Sequence, residues 1–241
     1  KSMAAYVDNA RKSPTGLMPY RQVAPSTIYI DSVGIVTPFI ADYASASPDP
    51  HLSSIAASQI GAFMERGMDS VSGLPYHAFD DVTGEKLGAP GWGRGTGWLL
   101  LGCSEMLRGD ASGRLFDQGL SDAYQAVCER VSEFQRPDGS FSWLLQAHDG
   151  PADASATALI YCGLEGAALA RARNSEPQSR SLVAAVESLV SATSQRSVPL
   201  ASAECGGLGV YPQAYGSYPW SVGPSILALH RFLTLVPGGP G

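Results

Sequence analysis

The sequence lacks several features that mark other classes of protein. No apolar run approaches the roughly 18 to 20 residues that a membrane-spanning helix requires, so a membrane protein is not expected. The chain has only 16 Lys and Arg against 22 Asp and Glu, a formal net charge of -6. A nucleic-acid-binding protein would normally present a basic face, so nucleic acid is not an expected partner either.

The sequence also has few cysteines and few segments with the alternating pattern of a β-strand. The four cysteines lie far apart with no CxxC pair, which predicts buried free thiols rather than disulfides and gives no zinc site. We expect no metal and no other cofactor. Apart from short bridges at 27–30 and 209–211, no alternating run predicts a strand. The chain shows no signal-peptide pattern at residue 1, from which we expect a cytoplasmic protein.

Helical periodicity dominates what is present. Apolar residues recur at i, i+3, i+4 and i+7 along most of the chain, as in Ile226, Leu229 and Leu233. Hydrophobic residues make up 44% of the sequence and charged residues 16%, enough apolar surface for one sizeable core. We therefore predict a single all-α domain over 1–241, with eight helices near 2–12, 32–45, 52–67, 96–108, 120–135, 155–172, 180–194 and 224–235.

The loops between these helices repeat. A glycine followed by small or apolar residues and an aromatic residue occurs after alternate helices, at intervals of 57, 66 and 68 residues. Each interval holds two helices and one long loop, which predicts stacked helical hairpins with a site built by the loops of one face. A ring of such hairpins is favoured over a linear solenoid, whose loops are usually shorter and less aromatic. The four loops are 16–20, 73–76, 139–141 and 207–211.

The segment GWGRGTGW at 91–98 is the densest candidate for a site. Glycine allows a ligand to approach the backbone, and the following helix start supplies free N–H groups. The guanidinium of Arg94 suits a carboxylate, and the faces of Trp92 and Trp98 suit the apolar face of a sugar ring. Together they indicate a pocket for an acidic sugar, although a glycine-rich loop with two core tryptophans is the structural alternative.

Three further segments carry candidate residues. Asp31 lies where an apolar stretch enters a helix, so it is either a helix cap or an acid in an aromatic setting. His77 lies in the second repeat loop, where a structural and a functional role are equally supported. Trp220 belongs to a last aromatic loop that is either packing or the wall of a sugar subsite.

These motifs, in their order, resemble the unsaturated glucuronyl and rhamnogalacturonyl hydrolases. The resemblance rests on YIDSVGIVTPF, SGLPYHAFDD, GWGRGTGW, DGSFSW, DASAT and PWSVGP, which span nearly the whole chain from about residue 15. It implies an (α/α) toroid of six hairpins that removes a 4,5-unsaturated uronic acid from oligosaccharides. By this resemblance Asp31 protonates C4 and assists water at C5 without a metal. His77, Trp92, Arg94 and Trp98 match residues of the sugar pocket, and Tyr29 and Trp220 join the substrate-binding set.

Two departures from the family pattern lead to further expectations. Tyr29 stands where the family often has tryptophan, and the matching aspartate usually lies beyond the first hundred residues rather than at 31. We therefore expect an N-terminally truncated toroid with about four of six hairpins, completed by a partner segment or by a second copy. The alternatives are a non-catalytic sugar-binding or scaffold relative, and another (α/α)-toroid enzyme such as an ordinary glycosidase or a sugar epimerase.

Overall fold

The computed structural model describes residues 2–46, 50–109, 116–172, 179–196 and 199–235. Within these ranges the eight predicted helices are all present, joined by five short strands. The helices are α1 Ser2–Asn9, α2 Ile30–Ala46, α3 Pro50–Arg66, α4 Gly93–Gly109, α5 Gln118–Ser132, α6 Ala154–Ala172, α7 Ser179–Arg196 and α8 Pro219–Leu235; the strands are β1 Thr27–Tyr29, β2 Ala78–Asp80, β3 Lys86–Leu87, β4 Ala201–Ser202 and β5 Tyr215–Gly216.

The helices form two layers. In one layer α2 packs on α4, α4 on α6, and α6 on α8, while α3, α5 and α7 pack behind them as the second layer. This alternation is that of consecutive helical hairpins, as the repeat in the sequence predicts. Within the described residues α2 and α8, the two ends of the first layer, make no comparable contact with each other.

Glycines allow the helices of the first layer to approach closely. A Cβ on Gly97 of α4 would lie 2.5 Å from the Cβ of Leu159, and one on Gly163 of α6 would lie 2.3 Å from the Cβ of Leu100. Such separations are far below van der Waals contact, so any larger residue would force the backbones apart. The glycines that lower helix propensity in α4 and α6 therefore determine the spacing of the layer.

Seven of the eight described helices begin one to five residues earlier than predicted. The largest differences are at α4, which begins at Gly93 instead of 96, and at α8, which begins at Pro219 instead of 224. Tertiary packing overrides the weak propensity of the glycines in 91–97, and Pro219 loses little because it is the first residue of α8. Helix α1 differs at its other end, stopping at Asn9 rather than at 12.

The long loops run from each outer helix to the next helix of the first layer. Three of the predicted repeat glycines adopt left-handed backbone, with φ of +92° at Gly16, +70° at Gly73 and +81° at Gly139. The predicted bridge at 27–30 is the strand β1, which pairs with β2, and Val210 of 209–211 bridges Gly207. Because all four loops lead into the N-terminal ends of α2, α4, α6 and α8, they lie together at one end of the layer.

The cysteines are free thiols, as predicted. Cys103, Cys128 and Cys162 are buried, and Cys205 is half-buried. Over the described ranges no helix is long and apolar enough to cross a membrane.

Candidate active site

A short antiparallel sheet brings Asp31 beside His77. Tyr29, the last residue of β1, pairs with Ala78 of β2, and the N–H of Ile30 donates to the carbonyl of His77 at 2.9 Å. Asp31 follows β1 and His77 precedes β2, so the two side chains emerge at the same corner. The Nε2 of His77 lies 3.4 Å from Oδ2 of Asp31.

The carboxyl group of Asp31 faces the cleft with few partners of its own. Its side chain is 17% exposed, and its Oδ2 is buried without a hydrogen bond to the described residues. Although Nε2 of His77 lies 3.4 Å from Oδ2 of Asp31, the two atoms do not form a hydrogen bond. Asp31 lies inside the first turn of α2, and none of its described contacts is a bond from a backbone N–H of the kind that a capping residue accepts. The described contacts of Asp31 are therefore not those of a helix cap.

His77 is held by aromatic rings and one hydroxyl. Its side chain is 4% exposed, its ring centroid lies 4.3 Å from that of Trp92, and its Nδ1 lies 3.1 Å from Oη of Tyr211. That oxygen accepts from the N–H of Ala89 at 3.0 Å, and burial raises the pKa of the Tyr211 phenol. In the tautomer whose Nδ1 accepts from the Tyr211 hydroxyl, the ring proton is on Nε2, the nitrogen that lies 3.4 Å from Asp31.

Gly88 permits this arrangement. Its φ is +83°, and a Cβ added there would lie 2.6 Å from the Cβ of His77 and 2.8 Å from Oη of Tyr211. The contact between the second and fourth repeat loops therefore requires glycine at 88.

Arg94 lies buried between two tryptophan rings. Its Cζ is 5.0 Å from the ring centroid of Trp92 and 5.4 Å from that of Trp220. Its Nη1 donates to the carbonyl of Ser202 and its Nη2 to that of Ala203, both at 2.9 Å. The sequence predicts that the Arg94 guanidinium binds a ligand carboxylate, but its terminal nitrogens already donate to main-chain carbonyls. These bonds hold the loop after β4 against the cleft.

A buried aspartate completes this support. Oδ2 of Asp153 accepts from the N–H of Ser202 at 3.0 Å and from its hydroxyl at 2.6 Å. Oδ1 of Asp153 accepts from the N–H of Ser155 at the start of α6. Trp220 donates its Nε1–H to the carbonyl of Ser202 at 3.1 Å. Ser202 therefore links Asp153, Arg94 and Trp220 in one satisfied network, which fixes the cleft wall.

All seven residues selected from the sequence line one open cleft with a cavity volume of about 240 Å³. Its walls combine aromatic faces with a few charged groups, as ligand sites commonly do. The seven are Tyr29, Asp31, His77, Trp92, Arg94, Trp98 and Trp220.

Six more lining residues were missed. Tyr20 and Gly207 belong to the repeat loops and could have been found from the repeat, because those loops all converge on the cleft. Glu204 supplies a second carboxylate, which sequence reasoning did not place near Asp31. It follows β4 without any motif, and only the pairing of β4 with β5 and the bonds from Arg94 bring it here. The six are Tyr20, Arg21, Ile35, Glu204, Cys205 and Gly207.

The cleft lies at the positive ends of helix dipoles. Asp31, Arg94 and Trp220 are in the first turns of α2, α4 and α8, and Asp153 directly precedes α6. A helix N-terminus carries roughly half a positive elementary charge, so the helices of the first layer contribute partial positive charge at this end of an acidic chain. The described residues hold no cluster of three or more His, Cys, Asp or Glu suited to a metal ion.

The arrangement of hairpins and cleft is that of the glycosidases with an (α/α)-toroid fold. The family profile of Glycosyl Hydrolase Family 88 matches residues 1–236, and the chain belongs to this family. No curated protein matches the chain.

Several solved structures share the fold. A possible member of the GH105 family from Salmonella enterica superposes with a TM-score of 0.83 at 20% identity, over 97% of this chain and 65% of that one. A possible GH105 member from Klebsiella pneumoniae gives 0.85 at 20% identity, over 97% and 64%. The unsaturated glucuronyl hydrolase of Bacillus sp. GL1 gives 0.67 at 18% identity, over 98% and 67%. The chain spans less than two thirds of the length of the two GH105 structures. The shared fold confirms the predicted (α/α)-toroid fold class.

Proposed function

We propose that the protein hydrolyses oligosaccharides that end in a 4,5-unsaturated uronic acid, by hydration of the vinyl ether. The observation that carries the proposal is the carboxyl group of Asp31, which faces an aromatic cleft with its Oδ2 unbonded and His77 3.4 Å away. Membership of Glycosyl Hydrolase Family 88 supports a glycosidase, and the unsaturated glucuronyl hydrolase among its structural relatives supports this substrate class.

The chemistry needs one proton donor that later accepts a proton. Asp31 gives its proton to C4 of the C4=C5 bond, and positive charge develops at C5 and its ring oxygen. The resulting carboxylate accepts a proton from water as the oxygen of that water bonds to C5, which restores the acid. The hemiketal formed at C5 opens, the chain rearranges, and the bond from C1 to the next sugar breaks. Nε2 of His77 lies 3.4 Å from Oδ2 of Asp31, and a small rotation would let its N–H donate to the carboxylate between the two transfers.

A second candidate is ordinary glycoside hydrolysis. Glu204 lines the same cleft as Asp31, and a pair of carboxylates is what a retaining or inverting glycosidase uses. The two reactions differ in the substrate that they require, because direct displacement at C1 does not need a C4=C5 bond.

A matched pair of substrates separates these functions. Lyase-generated disaccharides and their reduced, saturated counterparts are incubated with the protein, and release of the second sugar is measured for each. We expect release from the unsaturated disaccharides alone, together with loss of their ultraviolet absorbance. Equal release from both members of a pair supports the two-carboxylate reaction, and release from neither favours a sugar-binding relative.

A further inference from the structure

The described part of the cleft has two cationic side chains, Arg21 and Arg94. They differ in how many of their N–H groups are already bonded within the protein. Arg94 is 4% exposed, and both of its terminal nitrogens donate to main-chain carbonyls, those of Ser202 and Ala203. A carboxylate that took both terminal nitrogens would have to break these bonds, and each broken bond would leave a buried carbonyl without a donor. The commitment to the protein's own backbone concerns Nη1 and Nη2, whereas Nε of Arg94 makes no hydrogen bond to the described residues.

Arg21 has the opposite character. It lies in the loop before β1 and is exposed, and its side chain makes no hydrogen bond or ion pair within the described residues. Its Cζ lies 5.9 Å from the ring centroid of Tyr29, the residue that ends β1 two positions before Asp31. The aromatic face limits the directions available to the guanidinium and keeps it on the Asp31 side of the cleft.

The charge balance of the cleft requires such a group. Asp31 and Glu204 both line it, so an anionic sugar would enter against two carboxylates. The helix N-termini offset part of this repulsion, but the four parallel helices act on any anion without selecting its position. A cation with free N–H groups can both offset this repulsion and bind a carboxylate at one place and in one orientation.

We propose that Arg21 is a specificity-determining residue that binds the carboxylate of the terminal uronide, while Arg94 is a positioning residue for 202–205. The identity of the sugar rests on the proposed function, whereas the assignment of the anion to Arg21 rests on the contacts above. Bound in this way, the uronide would lie with its ring along Tyr29 and its C4 toward Asp31.

The test is a binding measurement, which does not depend on turnover. Trp92, Trp98 and Trp220 line the cleft, so intrinsic tryptophan fluorescence reports occupancy. The probes are an unsaturated disaccharide with a neutral second sugar and the methyl ester of the same compound. We expect Arg21→Gln to weaken binding of the acid about 10-fold, in line with the loss of a charge-assisted contact, and to leave binding of the ester unchanged. The control is Arg11→Gln, the same substitution on an exposed arginine outside the cleft lining, which should change neither.

Three outcomes overturn the assignment. They are equal binding of the acid by parent and Arg21→Gln, an equal loss for acid and ester, and a loss that appears only when the second sugar is charged. Turnover of the disaccharide by the parent is measured separately. If the parent binds the acid through Arg21 but does not turn it over, the proposed function fails and the role of Arg21 stands. If the parent turns the disaccharide over and Arg21→Gln binds the acid normally, the proposed function stands and the role of Arg21 fails.

Discussion

At the scale of single residues, the proposed chemistry depends on the carboxyl group of Asp31. Replacement by asparagine keeps the size of the side chain and removes the acidic proton. General acid catalysis contributes about 10²- to 10⁴-fold, so we expect Asp31→Asn to lower kcat by a factor in the upper part of that range because one group serves both proton transfers. The measurement is the rate of absorbance loss with an unsaturated disaccharide.

Unfolding would also abolish activity, so the variant needs two controls. Its helix content by circular dichroism and its affinity for the disaccharide by tryptophan fluorescence should match the parent. A folded, substrate-binding Asp31→Asn protein with activity within a few-fold of the parent would mean that another group supplies the proton.

The sequence identified individual site residues better than it identified their roles. Asp31, His77 and the GWGRGTGW residues carry types and spacings that point to a sugar site, and they do share one cleft. The engagement of Arg94 by backbone carbonyls was not predictable, because those carbonyls lie more than a hundred residues away and follow no motif. Glu204 and Arg21 were missed for the same reason, since their place in the cleft depends on how distant loops fold together.

At the scale of elements, the spacing of the first-layer helices depends on glycine. The Cβ of alanine at 97 would lie 2.5 Å from the Cβ of Leu159, a contact between rigid parts of α4 and α6 that no rotamer relieves. We expect Gly97→Ala to lower the free energy of unfolding by about 2 kcal/mol, since the cost of overpacking exceeds the gain in helix propensity. Denaturant unfolding at equilibrium measures this change.

Gly61 provides the matched control. It lies within α3, where an added Cβ would have no neighbour within 4 Å. Gly61→Ala should therefore raise the free energy of unfolding by about 0.5 to 1 kcal/mol through helix propensity alone. If both variants are stabilised to a similar extent, the close approach of α4 and α6 does not limit the packing.

Element boundaries show where sequence patterns stop being informative. The eight helices follow from their apolar periodicity, which packing between layers reinforces. Their starts at Ile30, Gly93 and Pro219 do not, because glycine and proline reduce local helix propensity while tertiary contacts extend the helices through them. The pairing of β1 with β2, which places Asp31 beside His77, is three residues long and carries no periodic signal of its own.

At the level of the whole molecule, one end of the first layer exposes apolar side chains. Ile226 and Leu233 of α8 are 63% and 47% exposed and lie seven residues apart, on one side of the helix. Helices of a hairpin layer bury such faces against neighbours, so we propose that additional helical segments, from a longer polypeptide or a second copy, cover α8.

This proposal predicts self-association of the 241-residue chain on its own. Light scattering coupled to size exclusion should show a mass that rises with concentration. The double substitution Ile226→Glu and Leu233→Glu should reduce the mass toward that of a monomer without loss of helix content, because both side chains are exposed. A strictly monomeric parent at all concentrations would contradict the proposal.

In the proposed mechanism, hydration of the C4=C5 bond precedes cleavage of the glycosidic bond, and one time course tests this order. An unsaturated disaccharide is treated with the protein while ultraviolet absorbance and release of the second sugar are followed in the same sample. We expect absorbance to fall no later than the second sugar appears, because bond cleavage follows from hydration. Release of the second sugar ahead of the absorbance loss would contradict it, and would indicate direct displacement at C1 by the pair of carboxylates Asp31 and Glu204.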